Sequence, residues 1–496
     1  MTRVYRQAIK DGLCLGFLMA VISGCAINPV SGQPEIALIS SNQEKQLGQE
    51  EAKKVEQQMG LVEGPVLTGY LDTLGQRLAE QSPRRDVTYR FHIVEMPEPN
   101  AFALPGGDIY VSRGLLPLVN SEDELAGVVG HEIGHVAARH SVQRISKQAP
   151  FAVVFGVLSG ITGLVSPLVG SIVGGVGDLA QGLVFAPYSR SQENEADQVG
   201  QEISARAGWD PAALSTFLST LEREVELMSK GPRKPSFFDS HPATPDRVAK
   251  TAAHAKELQR TAREPISASR EAFLARLNGL AVGAPAANGV FDGQRFLHPD
   301  FDVFIQFPEK WELKNSPELV AGVAPDGEAL VALKAVGKGT DPLDGARALE
   351  KAGGSPIVEH TQQIKIGNLQ AAHTLLHADN NLVVDLTWVA HEGRIYQLAG
   401  IAPKKRFDSL RPTFDTVAQS FRPLAPAERA GIREKRIRLV KAHAGETLDV
   451  LVARSNSIWS KDEVAVANNL TVGGQLKEGQ LLKIAVSEPY GAKSSR

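Results

Sequence analysis

Cysteine is almost absent from the sequence. Among the 496 residues only Cys14 and Cys25 are cysteines, and Cys14 lies in an apolar N-terminal run that has the layout of a secretory signal. A chain cleaved before Cys25 keeps a single thiol, which leaves no partner for an internal disulfide. A metal site built from cysteines is excluded by the same count.

The chain also lacks a large excess of charge of either sign. Its formal net charge is −3, so there is no electrostatic reason to expect a nucleic acid as partner. Hydrophobic residues make up 43% of the chain, as in ordinary globular proteins. A length of 496 residues exceeds what one hydrophobic core usually organises, and two or three folded units are expected.

The first residues resemble the signal of a bacterial lipoprotein. Three basic residues precede an apolar run over 13–22 that is too short to span a bilayer permanently. The run ends in Ile-Ser-Gly-Cys at 22–25, which resembles the lipobox of bacterial lipoproteins, where the cysteine is lipidated and becomes the first residue. This predicts a signal peptide at 1–25, and an uncleaved signal anchor is the alternative. A lipidated Cys25 is not available as a catalytic thiol.

The residue after the cysteine bears on location. Ala26 stands where lipoproteins retained at the inner membrane of Gram-negative bacteria carry aspartate. The resemblance therefore implies a chain anchored to the membrane through Cys25 on the periplasmic side of the cell envelope, at the outer membrane. Residues 26–42, with two prolines and three serines between short apolar pieces, are predicted to be a tether.

The rest of the chain divides by its hydrophobic pattern into an α+β multidomain protein. Helical spacing dominates 43–262, with a small edge sheet at about 87–112. Period-two alternation dominates 291–424 and predicts a separate antiparallel α+β domain of unknown role. The segment 263–290, which mixes charged residues with GAPAANG, is predicted to be a linker, and a small module follows at 433–488.

One stretch of the helical region carries no charge. Residues 151–176 are long and apolar enough for a transmembrane helix. Several glycines within the run oppose a helix, and the motifs on either side need to meet in one compartment. A lid-like or membrane-surface helical hairpin is preferred, and a span remains the alternative.

The sequence HEIGH at 131–135 is the main chemical signal. Histidines four residues apart on a helix project from one face, so His131 and His135 can bind one metal ion. Glu132, next to the first of them, can reach a water beside the metal and act as a general base. Ser121 and Glu124 predict a capping box at the start of this helix.

A third histidine nearby does not fit the same ion. At 100° per residue, His140 lies about 140° around the helix from His135 and points away from the metal. It is predicted to be a helix-end residue near the C-terminal dipole. The third ligand must come from elsewhere.

A second helix offers carboxylates. Residues 189–197 read SRSQENEAD, in which Glu193 and Asp197 share a helix face, whereas Glu195 points about 200° away from Glu193. One of the pair can bind the metal while the other orients a ligand imidazole. Spacing alone leaves open which does which.

These motifs together resemble metallopeptidase family M48. The resemblance rests on HExxH, on the later helix with Glu-x-x-x-Asp, on NAFALPGGDIYVSRGLL at 100–116, and on HPATPDR at 241–247. It covers about 43–262 and implies a mainly helical zinc metalloprotease domain of the gluzincin type. The tetratricopeptide repeats and multiple membrane spans of particular members are missing.

The resemblance assigns roles by position. It implies that His131, His135 and Glu193 bind one Zn²⁺ per chain, that Glu132 is the catalytic base, and that Asp197 orients a ligand.

Further roles are implied around this centre. His241 is a possible fourth, regulatory ligand that would keep the enzyme latent, and Arg247 is expected to stabilise the oxyanion. Substrate is expected to pair as an added strand with the edge strand of the active site, which allows cleavage without strict side-chain specificity. The edge consists of Asn100, Ala101, Phe102 and Ala103.

The tail resembles a LysM module. IRLVKAHAGETLDVLVARS, VANNL and LKEGQLLKIAV match its strand, helix and strand segments, so 433–488 is predicted to be a LysM-like βααβ module. LysM modules bind N-acetylglucosamine in peptidoglycan, and a tail that only folds is the alternative.

The function predicted from all these features is a zinc-dependent endopeptidase of the bacterial cell envelope. Its substrates would be misfolded or misassembled envelope polypeptides, and His241 would hold it latent. The alternative is a lipid-anchored scaffold, chaperone-like or bound to peptidoglycan, with little proteolysis.

Overall fold

A computed structural model describes most of the chain. The described residues are 25–36, 39–146, 187–228, 237–242, 244–317, 319–351, 357–358, 360–378 and 381–491. The apolar stretch 151–176 and the signal segment before residue 25 lie outside these ranges. Within the ranges, no helix combines the length and the hydropathy needed to cross a membrane.

The first part of the chain is mainly helical, as predicted. Its elements are β1 (Cys25–Ile27), β2 (Pro34–Ile36), α1 (Ser41–Met59), α2 (Pro65–Ala79), β3 (Arg90–Val94), β4 (Ala101–Ala103), β5 (Asp108–Ser112), α3 (Glu122–Ala137), α4 (Arg190–Ala207), α5 (Ala213–Met228), α6 (Phe237–Ser240), α7 (Pro245–Ala255) and α8 (Arg270–Leu277). Strands β3 and β5 are parallel, β4 is antiparallel to β5, and β4 lies at the outside of the order β3-β5-β4.

Helix α3 carries the HEIGH motif and is buried along its length. Ser121 Oγ accepts a hydrogen bond from Glu124 N, as expected of an N-cap. The Glu124 carboxylate, however, accepts from Asn120 N and not from Ser121 N. The predicted capping box is therefore wrong in its second half, because the carboxylate reaches one residue further back.

Helices α3 and α4 pack closely because glycines face the contact. A Cβ on Gly134 would lie 2.8 Å from Ala196 O, and one on Gly200 would lie 2.6 Å from His131 N. Side chains at either position would push the helices apart. The two glycines therefore set the distance at which ligands on the two helices can meet.

The middle of the chain forms antiparallel sheets. Its elements are β6 (Val290–Asp292), β7 (Arg295–His298), β8 (Val303–Gln306), β9 (Glu312–Asn315), β10 (Val320–Val323), β11 (Leu330–Lys338), α9 (Leu343–Lys351), β12 (Ile357–Val358), β13 (Gln362–Ile366), β14 (Leu369–Ala378), β15 (Leu382–His391), β16 (Arg394–Pro403) and α10 (Lys404–Gln419). The larger sheet has the order β12-β14-β15-β16-β11-β10-β9, with β13 also on β14, and the smaller one is β6-β7-β8. Helix α10 buries Phe407, Phe414 and Val417 in the core beneath the larger sheet.

The tail has the order strand, helix, helix, strand. After a short helix, α11 (Pro426–Gly431), it consists of β17 (Arg433–Lys441), α12 (Leu448–Arg454), α13 (Lys461–Ala467) and β18 (Leu481–Pro489). Strands β17 and β18 are antiparallel neighbours. The order agrees with a βααβ module, and the identification as LysM-like stays a prediction.

The segment predicted to be a linker is built into the fold. Within 263–290, α8 buries Phe273, Leu274 and Leu277 in the same core as helices α2, α3 and α5. Gly279 N donates to Ile437 O and Val282 N donates to Lys435 O, so this segment runs alongside β17. The linker prediction is wrong because the segment pairs with a strand about 150 residues later, which no local pattern reveals.

Candidate active site

Four side chains from three segments converge beside α3. His131 and His135 come from α3, Glu193 from α4, and His241 directly follows α6. One ligand atom from each lies within 4.8 Å of the others, and all four residues are buried. The structure thus brings together the four residues predicted to bind the metal.

The spacing of the donor atoms suits zinc. His131 Nε2 lies 3.0 Å from His135 Nε2 and 3.2 Å from His241 Nδ1. Glu193 Oε1 lies 2.9 Å from His241 Nδ1 and 3.4 Å from His135 Nε2. Nitrogen and oxygen ligands at the usual zinc distances stand about 3.3 Å apart in a tetrahedron. Three nitrogens and a carboxylate with this spacing form a donor set that zinc accepts.

Glu132 is placed as the general base requires. Its side chain is fully buried, yet neither carboxylate oxygen has a hydrogen-bond partner among the described residues. Its Oε1 lies 3.7 Å from His241 Nε2. A buried carboxylate without a partner is costly, so this position points to a ligand or a water beside the donor atoms.

The charges of the site favour metal binding. Burial lowers the pKa of His135 well below its ordinary value, so the ring is neutral and its Nε2 lone pair is available. Burial would raise the pKa of Glu193, but His241 and Arg247 beside it hold that pKa well below its usual range. Burial raises the pKa of Glu132, which makes its carboxylate a stronger base.

Asp197 and Arg247 support the ligands. Asp197 Oδ1 lies 2.9 Å from His131 Nδ1, the ring nitrogen opposite the donor cluster. Arg247 donates from Nε and Nη2 to the Asp197 carboxylate at 2.6 and 2.7 Å, and its Nη1 lies 2.5 Å from Glu193 Oε2. Asp197 thus occupies the place predicted for a residue that orients a ligand. The guanidinium of Arg247 holds two carboxylates, and its role toward an oxyanion stays a prediction.

His140 does not point away from the site. Helix α3 ends at Ala137, and Arg139 adopts a left-handed conformation with φ of 56° before the chain becomes helical again at 140. His140 Nδ1 therefore lies 2.8 Å from His135 Nδ1, and its Nε2 lies 3.0 Å from Glu195 Oε2. The prediction from an unbroken helix was wrong in direction, although His140 is not among the donor group.

Two aromatic rings of the site were also missed. Tyr188 stacks on His135 with ring centroids 3.9 Å apart, and Phe237 stacks on His241 at 4.4 Å. Both precede residues that the sequence did single out, Tyr188 just before the cap of α4 and Phe237 four residues before His241. Neither belongs to a motif that sequence reasoning could have used.

The predicted substrate strand lies at a sheet edge. Ala101 to Ala103 form β4, and among the described residues no other strand pairs with its outer side. Asn100 and these three residues are buried. Phe237 N donates to Pro99 O at 2.8 Å, which places the segment leading to His241 beside the start of this strand.

Cys25 is the first described residue. It begins β1 and pairs with Ile36 of β2. Lipidation of Cys25 stays a prediction.

Known proteins with similar sequences were found by two comparisons. Residues 65–255 match the family model described as peptidase family M48. The chain is 29% identical over 260 residues to the beta-barrel assembly-enhancing protease of Yersinia pestis, covering 51% of this chain and 52% of that protein. The protein of the same name from Escherichia coli K12 is 28% identical over 260 residues, with 51% and 52% covered. The mitochondrial metalloendopeptidase OMA1 of Schizosaccharomyces pombe is 30% identical over 226 residues, with 45% and 64% covered.

The chain therefore spans between about half and two thirds of the length of these curated relatives. The matched region contains His131, Glu132, His135 and Glu193, together with both helices that carry them. The match to the family model and the relatives agree with the resemblance to family M48 found from the motifs. Residues 65–255 of this chain form a peptidase family M48 domain.

Proposed function

We propose that the chain is a zinc-dependent endopeptidase of the bacterial cell envelope that hydrolyses misfolded or misassembled envelope proteins. The observation that carries this proposal is the convergence of His131, His135 and Glu193 beside the unpartnered carboxylate of Glu132. The names of the relatives, a beta-barrel assembly-enhancing protease and a metalloendopeptidase, support the same class of activity.

The residues divide the work of hydrolysis. His131, His135 and Glu193 would hold one zinc ion, which when bound supplies a Lewis acid that polarises the substrate carbonyl and acidifies water. Glu132 takes the proton from the attacking water at a carboxylate oxygen and gives it to the leaving amine. Asp197 keeps the proton of His131 on Nδ1, so that Nε2 stays free to bind metal.

Substrate would bind as an added strand. Strand β4 is the outer member of its sheet, and main-chain hydrogen bonds to Asn100, Ala101, Phe102 and Ala103 would align a peptide of any sequence. This mode suits clients that share exposed backbone and no particular side chain.

His241 would keep the enzyme latent. Its Nδ1 lies among the donor atoms, at 3.2 Å from His131 Nε2 and 2.9 Å from Glu193 Oε1. A fourth protein donor takes the coordination position that a reacting water needs. Departure of His241 would open that position.

The lipid anchor and the tail would determine where in the cell envelope the enzyme lies. Lipidated Cys25 would attach it to the periplasmic face of the outer membrane, and 433–488 would bind peptidoglycan. Labelling with a fatty-acid analogue, lost in Cys25→Ser, tests the first part. Cosedimentation of the full chain with insoluble peptidoglycan tests the second.

The decisive experiment is casein cleavage by His241→Ala, in which the site would be open, and by His241→Ala with Glu132→Gln added, with the zinc content of both measured. An amide in place of the carboxylate cannot take a proton, so activity should fall at least about 100-fold with zinc retained. Equal activities would contradict the protease and favour the lipid-anchored scaffold. His241→Ala should cleave faster than wild type, and unchanged or lower activity with zinc retained would count against latency.

A further inference from the structure

The two ligand histidines of α3 are supported in different ways. His131 Nδ1 lies 2.9 Å from a carboxylate oxygen of Asp197. His135 Nδ1 instead lies 2.8 Å from another imidazole nitrogen, Nδ1 of His140. A ligand histidine needs an acceptor at its outer nitrogen, because that hydrogen bond fixes both the tautomer and the ring orientation.

The hydrogens of this chain of contacts can be assigned in one direction. His135 Nε2 faces the donor cluster, so its proton resides on Nδ1 and is donated to His140 Nδ1. The proton of His140 then resides on Nε2 and is donated to Glu195 Oε2 at 3.0 Å. The result is a carboxylate–imidazole–imidazole series in which both rings are fully buried and the Glu195 side chain is half-buried.

The N-terminal hairpin completes this series. Asn28, in the turn between β1 and β2, is 1% exposed and donates from Nδ2 to Glu195 Oε1 at 3.2 Å and to Glu35 Oε1 at 2.5 Å. Glu35 Oε2 accepts from Gln143 Nε2 at 2.6 Å, three residues beyond His140. The hairpin is thus bound both to Glu195 and to the helical turn that carries His140.

We propose that His140 and Glu195 are positioning residues for the ligand His135, and that Asn28 extends this support to the segment that follows Cys25. The proposal rests on the metal centre of the proposed function. It makes the N-terminal hairpin, which the sequence suggested was only a tether, a part of the zinc site.

The expected energetic effect is that of an outer partner of a metal ligand. Loss of such a partner typically weakens metal binding 10–100-fold. The three residues should not contribute equally, because His140 touches the ligand itself, Glu195 acts through one ring and Asn28 through two groups.

The test measures zinc affinity of the full chain by competition with a chromogenic chelator, the visible spectrum of the cobalt-substituted protein, and the melting temperature of the metal-free protein. His140→Leu should bind zinc about 10–100-fold more weakly and shift the cobalt bands, with the metal-free melting temperature little changed. An asparagine side chain can place an amide oxygen near the former Nδ1, so His140→Asn should bind zinc more tightly than His140→Leu. Glu195→Ala and Asn28→Ala should follow with successively smaller losses.

A matched control is available far from the metal. His373 Nε2 lies 2.9 Å from Asp385 Oδ1 in the middle domain, and His373→Leu removes an imidazole–carboxylate contact there without touching the zinc site. The proposal fails if His140→Leu and His140→Asn both keep wild-type zinc affinity and cobalt spectrum. It also fails for the hairpin if Asn28→Ala binds zinc like wild type. Since none of these measurements uses hydrolysis, a failure here is distinct from a failure of the protease activity.

Discussion

The middle domain and the tail module both follow the protease region in the chain, but only the tail shares its core. Ile437 of β17 and Val466 of α13 are buried in one cluster with Phe273 of α8 and the helices around the candidate metal site. Among the described residues, no side chain between 290 and 424 belongs to that cluster. The order of units along the chain is therefore not their order in space.

Polar contacts also join the tail to the protease region. Lys483 of β18 is fully buried and donates from Nζ to Val119 O at 2.5 Å, just before the cap of α3. Arg223 of α5 donates to Leu470 O at 2.9 Å. The helix that carries HEIGH thus begins against the last strand of the chain.

The cores of the middle domain are separate from that cluster. Its larger core includes Ile305, Phe307 and Phe414, all from within 290–424. The chain enters and leaves the middle domain at neighbouring points, because Ala281 before it is bridged to Arg436 after it in antiparallel register. Residues 290–424 therefore form an insertion between two antiparallel segments of one structural unit.

The largest expected effect is the loss of stability that follows removal of the tail. A chain ending at residue 432 loses β17, α13 and β18, and with them part of the protease core. The loss should exceed about 5 kcal/mol, comparable to the whole stability of a domain. We expect this chain to lose zinc and the cooperative thermal transition of the protease region.

The matched deletion replaces 285–431 with a short Gly-Ser turn that joins the antiparallel segments directly. It should keep zinc binding and the thermal transition of the protease region. Zinc binding is followed by the zinc content of the purified protein, and the thermal transition by calorimetry. If the chain ending at residue 432 were stable and the chain lacking 285–431 were unfolded, the assignment of the tail to the protease unit would be wrong.

A smaller effect is expected from one matched pair of cavities. Ile437 and Ile305 are both fully buried, one in the protease core and one in the middle-domain core. Alanine at either site should cost about 2–5 kcal/mol. Hydrogen exchange followed by peptide should show faster exchange in α3, α5 and α8 for Ile437→Ala. Ile305→Ala should accelerate exchange only within 290–424. An Ile437→Ala effect confined to 433–489 would indicate a tail that folds alone.

Local chemistry could be predicted from the sequence. The positions of His131, His135, Glu193 and Asp197 follow from helical spacing, and the structure places them together because α3 and α4 pack through glycines. The period-two pattern likewise predicted antiparallel strands in the middle region. Both predictions, the ligand positions and the strands, rest on patterns among residues that are close together in the chain.

Contacts between distant segments could not be predicted. The direction of His140 depends on a helix end at which a left-handed Arg139 stands where glycine would normally signal the turn. Nothing in the sequence around Lys483 indicated that its side chain is buried against Val119. The mixed composition of 263–290 predicted a linker, and no local pattern showed that this segment pairs with the tail.

The smallest expected effect is a difference in pH response between the two regions. Burial raises the pKa of Glu124 to about 7, with Lys483, Arg270 and Asp123 facing it. Folded Glu124 therefore binds its proton before the unfolded chain does. Its contribution to stability is fully present below pH 4.5, the ordinary pKa, and is lost as the pH rises through about 7.

Where the middle domain ends the sign is reversed, because Arg422 lowers the pKa of Glu428, in the following helix α11, to about 2. That contribution is present above pH 4.5 and is lost as the pH falls through about 2, and it is small since the Arg422 side chain is 42% exposed. Acidification from pH 7 to 4.5 should therefore raise the melting temperature of the protease unit by a few degrees and leave the Glu428 contribution intact. Glu124→Gln keeps an acceptor for Asn120 N but cannot titrate, so it should show a flatter pH dependence in calorimetry. A Glu124→Gln profile parallel to wild type would show that this carboxyl does not link the tail junction to pH.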